Sequence, residues 1–164
     1  MTVLALVACS PALNWREVRS ADSDAVALFP CKPERFTRVV ALAAGKVRMQ
    51  LVSCSVEGVT YALAHAAVAE PVMVSAALKQ LRVAAVENIA GQTQLVSPLA
   101  IRGMTPNVLA ERWVMQGHGA DGAAVREHVG FFTKGLHVYQ ATVVGPQVDN
   151  DAVDVFFSGL KLSP

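Results

Sequence analysis

The chain has 164 residues, 53% of them hydrophobic and 16% charged, and its 14 Lys and Arg nearly balance 13 Asp and Glu for a formal net charge of +1. That length suits one domain with its own core, and the apolar excess over ordinary domains, where about 25% of residues are charged, argues against disorder. A balanced charge with no Lys/Arg cluster longer than two residues provides no field for nucleic acid, which is excluded as a partner; the uncharged runs 1–15, 88–101 and 135–148 are each too short to span a bilayer.

The first eight residues carry no charge and lead into Leu6-Val7-Ala8-Cys9. A small residue followed by Cys after an apolar stretch resembles the lipobox of bacterial lipoproteins. The resemblance implies cleavage before Cys9, acylation of Cys9 and a lipid anchor to a membrane, hence a periplasmic, membrane-anchored envelope lipoprotein. The segment has no basic n-region and is barely long enough for an apolar core. Residues 1–12 are therefore read as a truncated signal segment and tether, with Ser10-Pro11-Ala12 as the tether, and residues 13–164 as a single α+β domain. If the Cys9 context is accidental, Val3 to Val7 form a first strand or an apolar tail and the location is cytoplasmic.

An odd count of three cysteines in an exported chain needs an explanation. Acylation of Cys9 supplies one and leaves Cys31 and Cys54 as a pair. In an oxidising periplasm that pair is expected to form a disulfide; the alternative is two buried free thiols acting as small hydrophobes. The absence of Cys-x-x-Cys argues against a redox motif or a zinc ribbon.

In chain order, Leu13 to Val18 is expected as a short strand with Trp15 buried, and Asp22-Ser23-Asp24 as a turn. Ala25 to Phe29 is a strand that Pro30 stops. Phe36 to Leu42 and Val47 to Val56 follow as strands, separated by a turn at Ala43-Ala44-Gly45. Glu57-Gly58 makes a hairpin into Val59 to Val68. The period then changes: Val74, Leu78, Leu81, Ala85 and Ile89 recur at helical spacing, which predicts a helix over Val72 to Ala90 opened by Pro71 and stopped by Gly91. Leu95 to Ile101 is a strand broken by Pro98, and Val108 to Gln116 is another. Ala123 to Thr133 scores as a helix through Val125, Val129 and Phe132, and equally as a strand through Val125, Glu127, Val129 and Phe131. Lys134-Gly135 turns into a strand over Leu136 to Val144. Asn150 is read as the N-cap of a closing helix whose apolar face is Val153, Phe156, Phe157 and Leu160. The order predicts an α+β fold: a mainly antiparallel sheet packed by one long central helix and a short C-terminal helix.

The succession of Phe29-Pro30, Gly58 to Tyr61, the helix over 72–90, Phe131-Phe132, Lys134-Gly135, Tyr139 to Gly145 and Val153 to Leu162 resembles PsbP-like α/β/α sandwich proteins of bacterial envelopes. The resemblance covers most of the chain from about Ala25. It implies an assembly or binding role rather than a conserved reaction, and it carries over no functional residue.

Gly117-His118-Gly119-Ala120-Asp121-Gly122 matches G-x-G-x-x-G, but a dinucleotide fingerprint needs a strand before it, a helix after it and an acidic residue about 20 positions on. Asp121-Gly122 is also a hairpin signal, and the loop is read as a turn. His65, His118, His128 and His137 include no i, i+4 pair; His118, His128 and His137 fall on adjacent strands where convergence on a metal is the alternative to solvated or singly bonded rings. No Ser lies in G-x-S-x-G. Glu57, Glu70, Glu87, Glu111 and Glu127 fall on separate elements, most expected on solvated turns or faces, and Trp113 is expected to point inward beside Arg112. No cofactor is expected. The sequence thus points to a noncatalytic envelope module that binds a protein partner or assists assembly; the alternative is a small-molecule or nucleotide-binding protein using the Gly117–Gly122 loop.

Overall fold

A computed structural model describes residues 12–164. The described residues form an α+β domain with ten strands, two helices and strand pairings that are antiparallel throughout, apart from an isolated parallel bridge between Arg102 and Lys161. β1 (Arg16–Arg19), β2 (Ala25–Phe29) and β10 (Lys161–Leu162) form a small sheet in the order β1-β2-β10. The large sheet consists of β3 (Glu34–Leu42), β4 (Gly45–Val56), β5 (Val59–Ala67), β6 (Gln92–Pro98), β7 (Glu111–His118), β8 (Ala124–Lys134) and β9 (His137–Gly145), in the order β3-β4-β5-β9-β8-β7-β6. The helices are α1 (Met73–Asn88) and α2 (Asn150–Ser158).

Tight turns set the register of the large sheet. Ala43 and Ala44 join β3 to β4 with φ of 50° and 63°, and Glu57 and Gly58 join β4 to β5 with φ of 53° and 77°. Two-residue connections with both φ positive match the right-handed twist of the strands they join. Three alanine or glutamate side chains thus occupy a region that favours glycine, held there by nine register pairs in the first hairpin and seven in the second.

Each face of the large sheet has its own cover. On one face α1 buries the stripe Val74, Leu78, Leu81, Ala85 and Ile89 against Met115, Val129, Phe131 and Val138. On the other, the small sheet and α2 bury Phe29, Val153, Phe156 and Phe157 against Val52, Tyr61, Leu63, Phe132, Tyr139 and Val143. Cys31 and Cys54 form a disulfide with a Cα–Cα distance of 5.9 Å, tying the chain just after β2 to the last part of β4 and so joining the two sheets.

Several expectations change. The central helix has 16 residues rather than the full span 72–90, because Val72 remains in the preceding turn and Ile89 and Ala90 leave the helical region, Ala90 with φ of 45°. The open choice over 123–133 resolves to a strand, since β8 lies between β7 and β9 and both its faces are covered. The cap of α2 is Asp149, not Asn150: the Asp149 carboxylate accepts from the Asp151 amide at 3.1 Å. The first strand begins at Arg16, leaving Trp15 only partly buried, edge-on to Tyr61.

Candidate functional site

Of the residues singled out for chemistry, Cys9 lies outside the described residues, while Cys31 and Cys54 are joined as described above. The Gly117–Gly122 segment is the hairpin between β7 and β8. Gly119 N–H donates to the Ala123 carbonyl and Gly122 N–H to that of Gly119. A strand follows the loop, so it lacks the helix N-terminus that holds a pyrophosphate. Its glycines have local reasons instead. A Cβ on Gly117 would lie 2.2 Å from the Ile89 carbonyl oxygen, which also accepts from the His118 amide, so the end of α1 rests directly on β7. Gly122 has a φ of 80°. An open cleft of about 560 Å³ flanks the hairpin, with Gln92, Gln116, His118 and Arg126 as its polar lining.

The histidines do not converge. His118 ends β7, His128 sits mid-strand in β8 and His137 begins β9. Among the described residues, no group of three or more His, Cys, Asp or Glu is arranged to hold a metal. The ring that meets His137 is His65, with centroids 6.1 Å apart, and His65 also lies 5.8 Å from Tyr139. His65 is buried with neither ring nitrogen hydrogen-bonded, and burial holds its pKa below the ordinary imidazole value. Tyr139 stacks on Phe132, and burial pushes its hydroxyl up to about 12. The turn between β1 and β2 is pinned beside this nest: Gln50 Nε2 donates to Asp22 at 2.8 Å, and Lys134 pairs with Asp24 at 2.9 Å.

A second polar cluster lies on the α2 side. Arg112 crosses the Phe157 ring at 4.4 Å and pairs with the exposed Asp154 at 3.4 Å. Its guanidinium also lies 3.2 Å from His128 Nδ1. An arginine can only donate, so Nδ1 accepts and the His128 ring is neutral with its proton on Nε2, which is buried and unpartnered. Burial, then the charges of Arg112 and Arg126, push His128 down to about 4. A histidine held by a cation and closed to solvent offers no base to a substrate.

Glu127 departs most from expectation. It is 4% exposed rather than solvated, on the α1-side face of β8 with Val129 and Phe131, and burial alone raises its carboxyl to about 7. On the same side, Arg82 reaches from α1 to Glu111 at 2.8 Å and lies 5.3 Å over Trp113, whose indole N–H donates to Glu111. Trp113 is inward-facing as expected, through a network the sequence did not announce.

Among the described residues, an uncovered surface lies at the β3 side of the large sheet. α1 packs over β8 and β9, leaving the same face of β3, β4 and β5 with small or partly exposed side chains, including Leu51, Ala62 and Ala64. From Glu34 to Val39 every β3 residue is exposed, so this part of the strand is uncovered on both faces among the described residues; Phe36 is 42% exposed and Val39 69%. No protein-family model matches the chain, and no curated protein matches it.

Proposed function

We propose that this chain is a noncatalytic module of a bacterial cell envelope, held at a membrane through an acylated Cys9, that binds a protein partner or assists assembly. The observation that carries this reading is the cysteine arrangement. Of the three cysteines, two are consumed in the Cys31–Cys54 bond, and the third sits in Leu6-Val7-Ala8-Cys9 ahead of the domain. A disulfide favours an oxidising compartment, and acylation gives Cys9 a role there. Covering one antiparallel sheet on both faces, with a helix in each cover, supports the PsbP-like resemblance. The uncovered sheet region at β3 to β5, with Phe36 and Val39 exposed on it, supports binding of a partner.

Metabolic labelling with palmitate, in a bacterial host expressing the chain with its native upstream sequence, tests the anchor. The reading expects label in the membrane fraction that disappears in Cys9→Ser. Unlabelled protein in the cytoplasm with three reduced thiols overturns it.

The cleft beside the Gly117–Gly122 hairpin, with Arg126 and His118 on its rim, favours small-molecule binding as the second reading. A metabolite-induced rise in melting temperature that Arg126→Ala abolishes supports it over a purely protein-binding role.

A further inference from the structure

The two outer strands of the large sheet are protected differently. β6 is interrupted by a register shift between Thr93 and Leu95 and ends in Pro98, two devices that stop an edge from recruiting another strand. β3 has neither: it pairs with β4 through nine consecutive positions without a bulge, contains no proline, and has no strand on its outer side among the described residues.

Hairpin geometry says which of its backbone groups are open. The two-residue turn makes Leu42 and Gly45 a hydrogen-bonded pair, so Val40, Arg38, Phe36 and Glu34 bond inward to β4 by alternation. The N–H and C=O groups of Arg35, Thr37 and Val39 therefore point to the open edge, while the Ala41 carbonyl, on the same side, already accepts from the Gln80 side-chain amide at 3.0 Å.

The side chains on one face of β3 read Glu34, Phe36, Arg38. Reversed, the order is base, aromatic, acid, so the strand is complementary to itself when run antiparallel. We propose that β3 pairs with β3 of a second copy of this chain, antiparallel about a two-fold axis through Phe36. Glu34 then faces Arg38 of the second copy, twice over, and the two Phe36 rings meet at the axis. Arg35 and Thr37 form the flanking hydrogen-bonded pairs, which satisfies the alternation above. Neither Glu34 nor Arg38 takes part in an ion pair among the described residues. Shifting the axis to Arg38 also satisfies the backbone but sets Arg38 against Arg38, and shifting it to Thr37 leaves Glu34 opposite Val40. Opposite charges facing across strands stabilise the pairing and like charges oppose it, which selects the Phe36 axis. A single strand-to-strand contact is small, so the dimer is weak in solution.

The test is sedimentation equilibrium on the full chain carrying Cys9→Ser, from about 1 µM to about 1 mM. The expected result is a concentration-dependent rise from monomer to twice the monomer mass. Thr37→Pro removes an N–H that the protein's own ladder does not use, and is expected to stay monomeric with an unchanged melting curve. Glu34→Arg is expected to stay monomeric too, and adding Arg38→Glu to restore dimerisation. Under mild oxidation Phe36→Cys is expected to cross-link between chains where Thr37→Cys does not. A monomer across the whole range, a dimer indifferent to both Thr37→Pro and Glu34→Arg, or cross-linking at Thr37→Cys alone would overturn the proposal.

Discussion

Replacing Glu127 by Gln removes an ionisable group from the core while keeping its size, and the effect is expected to depend on pH. Glu127 is 4% exposed, and burial raises its carboxyl from the usual 4.5 to about 7. A raised acid pKa means that the folded state holds the proton more tightly than the unfolded state does. The stabilisation this gives is complete below the unfolded value and is lost as pH rises through about 7. At about 1.4 kcal/mol per pH unit, the move from 4.5 to about 7 corresponds to roughly 3 kcal/mol carried by the ionised protein in mildly alkaline solution. Urea unfolding followed by Trp15 and Trp113 fluorescence, at intervals between about pH 4 and pH 8.5, measures the difference between Glu127→Gln and the parent chain. That difference is expected to shift in favour of the variant by about 3 kcal/mol across the range, most of it between the two pKa values. A difference flat with pH would show that the buried carboxyl does not titrate differently in the folded and unfolded chain, because a packing effect has no reason to follow the carboxyl's titration.

Three further predictions concern other parts of the domain. The Cys31–Cys54 bond spans a sequence separation of 23, for which loop closure contributes about 3 kcal/mol; Cys31→Ala/Cys54→Ala is expected to melt about 6–12 °C lower, and equal melting curves would show that the bond does not constrain the unfolded chain. His128 is expected to stay neutral in NMR titrations well below the ordinary imidazole value, and its depressed pKa means that stability present above about pH 6.5 is lost as pH falls toward about 4; a midpoint at 6.5 would contradict its burial. Gly117→Ala places a methyl 2.2 Å from a backbone oxygen and is expected to cost about 3 kcal/mol or more in a chemical melt. Gly119→Ala meets a flexible Asp121 carboxylate at 3.0 Å and is expected to cost much less; the reverse order would remove the packing explanation for that glycine run.

What the sequence disclosed follows how each element is buried. The closing helix was legible because one of its sides meets the core, so Val153, Phe156, Phe157 and Leu160 stand apart from Asp151 and Asp154. β8 was not, because a central strand covered on both faces loses the alternation that marks a strand: Val125 and Val129 fit either period, Phe131 only the strand's and Phe132 only the helix's. The same double burial hid Glu127 and His128, whose polarity predicts solvent. β3 is the converse: its run of apolar residues marks a strand, yet Phe36 and Val39 stay exposed because the strand lies at the edge of the sheet. Of the site residues, the Cys31 and Cys54 pairing was expected only if the chain is exported and Cys9 is acylated, with two free thiols as the alternative, and the structure forms the bond. The Arg112–His128–Asp154 cluster gave no signal, because its members come from three elements brought together only by the fold.

The claim on which the rest turns is that Cys9 is a lipid-bearing N-terminus while Cys31 and Cys54 are bonded. Intact mass spectrometry of the protein extracted from bacterial membranes, with thiol alkylation before and after reduction, measures both in one sample. The expected species is a chain beginning at an acylated Cys9, with no alkylation before reduction and two alkylated cysteines after it. A chain that retains the residues before Cys9 and alkylates there without reduction would contradict it.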